Sequence, residues 1–327
     1  MDSGLLPVEE GRSQGDGAST ATSPPPTRLT HSRAVLLMIA VTLMWATAGV
    51  ITRHLEHARS FEVTFGRALF TLLALLVILP LWQGRAVFSK IRHGGPALWV
   101  SGTCWAVMFT AYMVALTMTS VANVLITLAL GPLCTALASR LFIGHRLPLR
   151  AWIAIVAAGL GIGWMYGSQL GSGLLAGTLV ALCVPLAGAC NWTLTQHAQA
   201  QGQDVDLMPA VLIGAALTTL ATLPLAWPFH VTPHDLGWLA FLGLFQLAIP
   251  CIGAVACARV LTAPELSLLA LLEVIFGIAF AWLGAGEEPG ATVLSGGALV
   301  IGALVVNEWL GMRARRDASV ALAPSLG

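Results

Sequence analysis

The sequence predicts an all-α integral membrane protein with ten transmembrane helices in two inverted five-helix repeats. Of its 327 residues, 57% are hydrophobic and 9% are charged, whereas roughly 25% are charged in an ordinary soluble domain. Apolar runs long enough to cross a bilayer, at roughly twenty residues each, recur from residue 34 to residue 311. The second half also echoes the first at an offset of 142 to 144 residues.

The charge balance excludes an electrostatic binder of nucleic acid, because that function requires a basic face. The formal net charge is +1, and the 16 Lys and Arg residues are spread along the chain. The six cysteines lie inside apolar runs and form no CxxC pair. A metal or redox site is one interpretation of such cysteines, but buried Cys more often acts as a small apolar residue. We therefore expect no metal and no cofactor.

The chain divides into two tails and ten spans. Residues 1–33 are rich in Gly, Ser, Thr and Pro and have no periodic apolar face, which is typical of a disordered tail. Residues 312–327 form a second tail after the last apolar run. Between the tails, the predicted spans cover residues 34–52, 61–82, 96–117, 120–143, 150–167, 173–196, 207–228, 235–258, 263–285 and 290–311.

Basic residues predict the orientation of these spans. An even number of spans places both termini on one side, and cytoplasmic loops carry the excess of Lys and Arg. With both termini inside, the basic residues of the outer loops are Arg53 and Arg59. The inner segments hold twelve, namely Arg12, Arg28, Arg33, Arg85, Lys90, Arg92, Arg146, Arg150, Arg259, Arg313, Arg315 and Arg316. We therefore expect a multi-pass protein with both termini in the cytoplasm.

Three short matches, in the same order, relate the two halves. Residues 51–54 resemble 194–197, residues 79–82 resemble 223–227, and residues 142–145 resemble 284–287. The repeats are accordingly placed at residues 34–167 and 173–311. Because five spans is an odd number, the second repeat must be inverted relative to the first. That architecture is common in transporters and places the substrate site near the membrane midplane, between the repeats.

Several motifs are similar to those of a known family. Trp45 to Gly49 reads WATAG in span one, and Phe65 to Ala68 reads FGRA in span two. Leu272-Glu273-Val274 is followed, about a dozen residues on, by Gly286-Glu287. The chain thus resembles the EamA-type members of the drug/metabolite transporter superfamily. The resemblance implies a secondary transporter in a bacterial cytoplasmic membrane, exporting a small metabolite such as an amino acid.

The sequence departs from the family pattern at two positions. Val274 stands where the family usually has Pro, and His145 stands where it usually has Glu. Gly131-Pro132 breaks span four, because Pro lacks a backbone donor. Such a break either lines a transporter cavity or serves only packing. The corresponding helix of the second repeat is expected to be straighter.

Arg67 and Glu273 are the ionisable residues placed deepest in the spans, whereas Arg140 can extend to the inner surface. Such groups usually face the protein interior or a water-filled cavity. The functional hypothesis is that Glu273 faces the central cavity, where low dielectric disfavours its charged form and suits a proton carrier. Arg67 would bind the substrate or a proton-linked partner. The structural alternative is that each charge pairs with a neighbour and only fixes the helices.

Other polar and aromatic side chains within spans are candidates for substrate contact. Such residues hydrogen-bond either a ligand or a neighbouring helix, and the second use is commoner. The Asn191-Trp192 pair is the better candidate because span six is the repeat partner of span one. The full set is Trp45, Thr47, Tyr112, Asn123, Asn191 and Trp192.

A secondary transporter of a small molecule is thus the leading hypothesis, and no catalytic residue is expected. The sequence contains no nucleotide-binding motif, so direct use of ATP is not supported. Proton coupling and facilitated diffusion are both compatible with the sequence. The oligomeric state is also left open. One alternative is a membrane enzyme acting on lipid-linked substrates, which would require clustered acidic, His or Ser residues at one interface. Another is a flippase-type subunit, but such proteins are typically half this length.

Overall fold

The structure, a computed structural model, describes residues 29–57, 60–143, 148–167, 174–200, 208–257, 260–261 and 263–322. Every regular element within these ranges is helical, which confirms the predicted all-α class. Most of the predicted N-terminal tail lies outside the described residues, as do the last five residues of the predicted C-terminal tail.

The first half of the chain contains seven described helices. They are α1 (His31–Arg53), α2 (Ser60–Gln83), α3 (Ala86–His93), α4 (Pro96–Met118), α5 (Val121–Leu128), α6 (Gly131–Ile143) and α7 (Leu149–Gly167). In the second half, the described helices are α8 (Leu174–Ala200), α9 (Met208–Ala226), α10 (Pro233–Phe241), α11 (Ile249–Cys257), α12 (Ala263–Ala285) and α13 (Ala291–Leu322). A π-helical segment, Leu242–Ala248, joins α10 to α11.

Within the described residues, seven helical stretches are long and apolar enough to cross a membrane: His31–Arg53, Ser60–Gln83, Pro96–Met118, Val121–Ala138, Met208–Ala226, Pro233–Cys257 and Ala291–Ala314. Three shorter apolar stretches are Leu149–Gly161, Leu175–Asn191 and Leu269–Ala285. Each of these stretches overlaps a predicted span. The chain is therefore a multi-pass membrane protein, while the count of ten spans stays a prediction.

Two predicted spans are divided. Span four consists of α5 and α6, which meet at Gly131, the position of the predicted break. Span eight consists of α10, the π segment and α11. The π segment was not predicted, because an i→i+5 turn leaves no signal in a run that is apolar on all sides.

The short helix α3 lies between two predicted spans, within residues 83–95, where a loop is expected. Val87 is buried and the partly buried Ile91 packs on the same cluster, whereas Lys90 and Arg92 are exposed. This four-residue spacing places the apolar side chains on one face of a helix. The loop therefore folds as an amphipathic helix against the end of the bundle.

Helices from both halves interleave in the centre of the protein. α1 packs against α12, α11 and the π segment, and α8 packs against α4, α5 and α6. α2 lies beside α9 and the π segment. α7 and α13 pack mainly against each other, at the side of the bundle.

Candidate functional site

The π segment brings a buried glutamine into the centre of the bundle. Gln246 is 2% exposed, and its Oε1 accepts a hydrogen bond from Nε of Arg67 at 2.9 Å. Its Nε2 donates to the backbone carbonyl of Trp45 at 3.2 Å. Gln246 therefore connects α2 to α1 through its own segment. π-helical turns are frequent at functional sites, where they redirect a side chain.

Arg67 is held from a second side by an aromatic ring. Its guanidinium carbon lies 5.5 Å from the centroid of the Tyr112 ring on α4, within the range of a cation–π interaction. Both side chains are buried, Arg67 at 3% exposed. The two terminal guanidinium nitrogens donate to no residue in the described part of the chain, so they are available to an anionic group.

Glu273 on α12 faces the same region. It is partly exposed and interacts electrostatically with Arg67 and Tyr112. Its carboxylate forms no ion pair with Arg67, so their N and O atoms are more than 4.0 Å apart. Arg67 and Glu273 therefore interact without direct contact, and we name Trp45, Arg67, Tyr112, Gln246 and Glu273 the central polar cluster.

The other predicted site residues have local partners. The Thr47 hydroxyl donates to the Met44 carbonyl within α1 at 2.7 Å. Asn123 is buried, and its Nδ2 donates to the Thr119 hydroxyl at 3.1 Å. Asn191 is buried and accepts a hydrogen bond from the Ser101 hydroxyl at 2.6 Å, which joins α8 to α4. The side chain of Trp192 lies outside the described residues, and all four roles stay predictions.

Gln246 is not among the predicted site residues, although it contacts two of them, Arg67 and Trp45. It is the one amide in the apolar run FLGLFQLAIPC. A lone amide in such a run is a usable signal, because an uncompensated polar group in lipid is costly.

A second polar group lies at one end of the bundle, where α1, α4, α5 and α12 meet. Nε of Arg53 donates to Glu287 Oε2 at 2.7 Å, and its terminal nitrogens donate to the carbonyls of Leu116 and Thr119 at 3.0 and 2.9 Å. Glu287 Oε1 accepts from the Val121 N–H at 2.7 Å. Arg53 thus satisfies carbonyls at the end of α4, and Glu287 satisfies a free N–H at the start of α5. We name this pair the outer clamp, because the orientation predicted from the basic residues would place this end outside.

Two carboxylates add contacts at the same end. Asp235 is fully buried and accepts from the backbone N–H groups of Glu56 and His57 at 3.0 and 3.2 Å. Glu62, also buried, accepts from the His230 N–H at 2.6 Å. These bonds fix the connections after α1 and before α10. The clamp and the two carboxylates therefore close this end of the bundle.

Sequence comparison relates part of this chain to a known family. Residues 32–167 match the EamA-like transporter family. The resemblance to EamA-type transporters is thereby confirmed, and the function class is that of a membrane transporter.

Two curated relatives are similar over a longer stretch. Both are named "Pseudopaline exporter CntI", from Pseudomonas aeruginosa strains UCBPP-PA14 and PAO1, and each is 25% identical over 250 residues, covering 75% of this chain and 84% of the relative.

A solved structure supports the fold. A protein known from a crystal structure superposes with a TM-score of 0.59 at 19% identity, over 86% of this chain and 99% of that one. At this identity the likeness concerns fold alone. The family match includes Arg67 and Tyr112, whereas Gln246, Glu273 and Glu287 lie beyond it.

Gly243 provides a test of the packing that positions the cluster. A Cβ at this position would lie 2.8 Å from the Thr71 N and 2.9 Å from the Arg67 carbonyl oxygen, both backbone atoms of α2. We expect Gly243→Ala to force α2 from the π segment and to lower stability by about 1–3 kcal/mol, as overpacking does. Thermal unfolding in detergent measures this effect. Gly237→Ala on α10 is the matched control, because a Cβ there meets nothing within 4 Å, and equal loss in both variants would contradict the close contact.

Proposed function

We propose that this protein is a secondary transporter that exports a small metabolite across a bacterial cytoplasmic membrane by alternating access. The chain comprises two inverted repeats of five spans, residues 34–167 and 173–311, between cytoplasmic tails at residues 1–33 and 312–327. The central polar cluster is its substrate site. The single observation that carries the proposal is a buried arginine, held by Gln246 and Tyr112, with free donors opposite a carboxylate.

The pattern of helix contacts supports the inverted repeat. α1 packs against α11 and α12, and its proposed counterpart α8 packs against α4 and against α5 and α6. Helices α2 and α9 are counterparts in direct contact, as are α7 and α13. A pseudo-two-fold axis in the membrane plane exchanges the halves and requires this correspondence.

Within the site, each residue has a distinct role. Arg67 binds an anionic group of the substrate with its terminal nitrogens, since a guanidinium matches a carboxylate or phosphate with two parallel hydrogen bonds. Gln246 and Tyr112 hold the guanidinium in place. Glu273 binds a proton or a cationic group of the substrate, and Trp45 lines the proposed substrate site. The remaining candidates are Thr47, on the same helix as Trp45, Asn123 on α5, and Asn191 and Trp192 on α8.

The described conformation corresponds to a state closed on the outside. In the proposed orientation, the outer clamp, Asp235 and Glu62 lie at the extracellular ends of their helices. Opening toward that side requires the Arg53–Glu287 contact to break. Rocking one repeat against the other around the central polar cluster would then release the substrate outside.

Two experiments test the function. The first measures the growth of cells that overproduce the protein, in medium that contains toxic amino acids, amino-acid analogues or nucleosides. Protection against one class of compound identifies the substrate class. The second measures extracellular pseudopaline in a P. aeruginosa strain that lacks CntI and carries this chain, since the named relatives are exporters. Normal membrane insertion with neither protection nor pseudopaline release would contradict the proposal.

The proton-carrier role of Glu273 has its own test. Glu273→Gln is expected to abolish the response of export to an imposed pH gradient, because glutamine neither gains nor loses a proton. Export is measured at several external pH values in cells loaded with the substrate. Glu288→Gln is the control, because Glu288 is exposed and has no partner among the described residues. An unchanged rate and unchanged pH dependence in Glu273→Gln would exclude the carrier role.

A further inference from the structure

A groove opens between α7 and α13, away from the central polar cluster. Its volume is about 320 Å³, and its walls are almost entirely apolar. Ile153 and Ala157 of α7 line one wall, and Leu299, Gly302 and Val306 of α13 line the other. These two helices pack mainly against each other, so the groove lies at the lipid-facing side of the bundle. An apolar channel of this kind suits an acyl chain.

One end of the groove is basic. Arg150, in the first turn of α7, lines the groove and donates to the Leu310 carbonyl of α13 at 3.0 Å. Nearby on α13, the guanidinium carbon of Arg313 lies 3.9 Å from the ring centroid of Trp309. On the other flank of α7, Arg140 lies 5.7 Å from the ring centroid of Trp152.

The three arginines at this end form no ion pair within the described part of the chain. One acidic residue, Glu308, precedes Trp309 in the sequence. The three arginines and Glu308 together carry a net charge of +2, so this end stays basic. Trp152 and Trp309 mark the depth of the headgroups, where tryptophan is enriched. The arginines therefore lie where a lipid phosphate would be.

We propose that this groove binds one anionic phospholipid, its headgroup at Arg150 and Arg313 and one acyl chain between α7 and α13. Basic pockets between transmembrane helices on the cytoplasmic side recognise anionic headgroups. In the orientation proposed above, on which this inference rests, the basic end is cytoplasmic. The negative headgroup is complementary to the arginines, and the apolar walls of the groove are complementary to the acyl chain.

The test compares lipids on the purified full-length protein. Phosphatidylglycerol and phosphatidylcholine of identical chains are added in neutral detergent, and binding is followed by native mass spectrometry and by thermal unfolding. The expected result is one retained phosphatidylglycerol and a higher Tm than with phosphatidylcholine. Equal binding and equal Tm for both lipids would overturn the proposal, and this comparison requires no variant.

Variants then locate the lipid. Arg150→Gln combined with Arg313→Gln is expected to weaken phosphatidylglycerol binding about 30-fold, since each basic residue near an anionic surface contributes roughly a factor of five. Arg92→Gln, an exposed charge on α3 at the same membrane face, is the control and should bind as the wild type does. Equal weakening in the control would mean general surface attraction and overturn the site.

A third variant tests the acyl-chain channel. Gly302 lines the groove, and a Cβ there meets nothing within 4 Å, so the side chain of Gly302→Leu is expected to extend into the groove. It is expected to lower lipid retention while the Tm without lipid is preserved. If the wild type dimerises in lipid-free detergent and Gly302→Leu disrupts the dimer, the occupant is a second copy of the chain, and the lipid proposal is wrong. Lipid binding and export are measured in separate assays, so failure of the lipid proposal and failure of the proposed function are distinguishable.

Discussion

Replacing Arg67 with glutamine is expected to lower export of the substrate at least about ten-fold. A hydrogen bond to a charged group contributes about 1.5–3 kcal/mol, which corresponds to roughly a 10- to 150-fold change in affinity. Glutamine removes both the charge and the two terminal nitrogens that donate to no residue in the described part of the chain. Arg67→Lys keeps the charge but loses the planar fork and the Nε bond to Gln246, so we expect an intermediate rate. Substrate efflux from preloaded cells measures both.

The competing role for Arg67 is purely structural, namely a link between α2 and the π segment. That role predicts a lower Tm and less folded protein, with unchanged efflux per folded molecule. Efflux is therefore normalised to the amount of folded protein, and the Tm is measured in parallel. Normal efflux per folded molecule in Arg67→Gln would exclude Arg67 from the substrate site.

Replacing Glu287 with glutamine is expected to open the outer side of the protein. Glu287 is the acceptor for both Arg53 and the Val121 N–H, and charge-assisted bonds are about twice as strong as neutral ones. A loss of about 1–2 kcal/mol would shift the closed-to-open ratio roughly 5- to 30-fold. The buried Cys251, beside Arg67 in the core, reports the change. In a variant whose other cysteines are replaced, a membrane-impermeant thiol reagent added outside should label Cys251 5- to 30-fold faster, as that population shift requires.

Glu288→Gln is the matched control for this experiment. Glu288 is the adjacent carboxylate, but it is exposed and outside the clamp. Its replacement should leave the labelling rate unchanged. Equal labelling in Glu287→Gln and in the parent would exclude the clamp as a gate, and faster labelling from the cytoplasmic side alone would contradict the proposed orientation.

Much of the fold follows from the sequence because a bilayer imposes a simple rule. A helix must be about twenty apolar residues long to cross it, so α1, α2, α4 and α9 lie within a few residues of their predicted positions. Finer features escape that rule. α3 is shorter than a span and folds against the bundle through Val87, and the π segment has the same apolar composition as an α-helix.

The substrate site was partly predictable for the same reason. An ionisable residue inside a span is costly, and this cost identified Arg67 and Glu273. Gln246 carries no charge, and its importance depends on the π turn that aims it at Arg67. The outer clamp joins Arg53 to Glu287 across 234 residues of sequence. Such a pairing depends on the packing of four helices and is not visible in the order of residues.

Transport by the purified protein tests the central claim most directly. Wild type, Arg67→Gln and Arg92→Gln are reconstituted into liposomes loaded with the metabolite that the growth screen identifies, and its release is measured. We predict that wild type and Arg92→Gln release the metabolite faster than protein-free liposomes, whereas Arg67→Gln releases it at least about ten-fold more slowly than wild type. Release by Arg67→Gln at the wild-type rate, or no release by wild type, would contradict a transporter whose substrate site is built on Arg67.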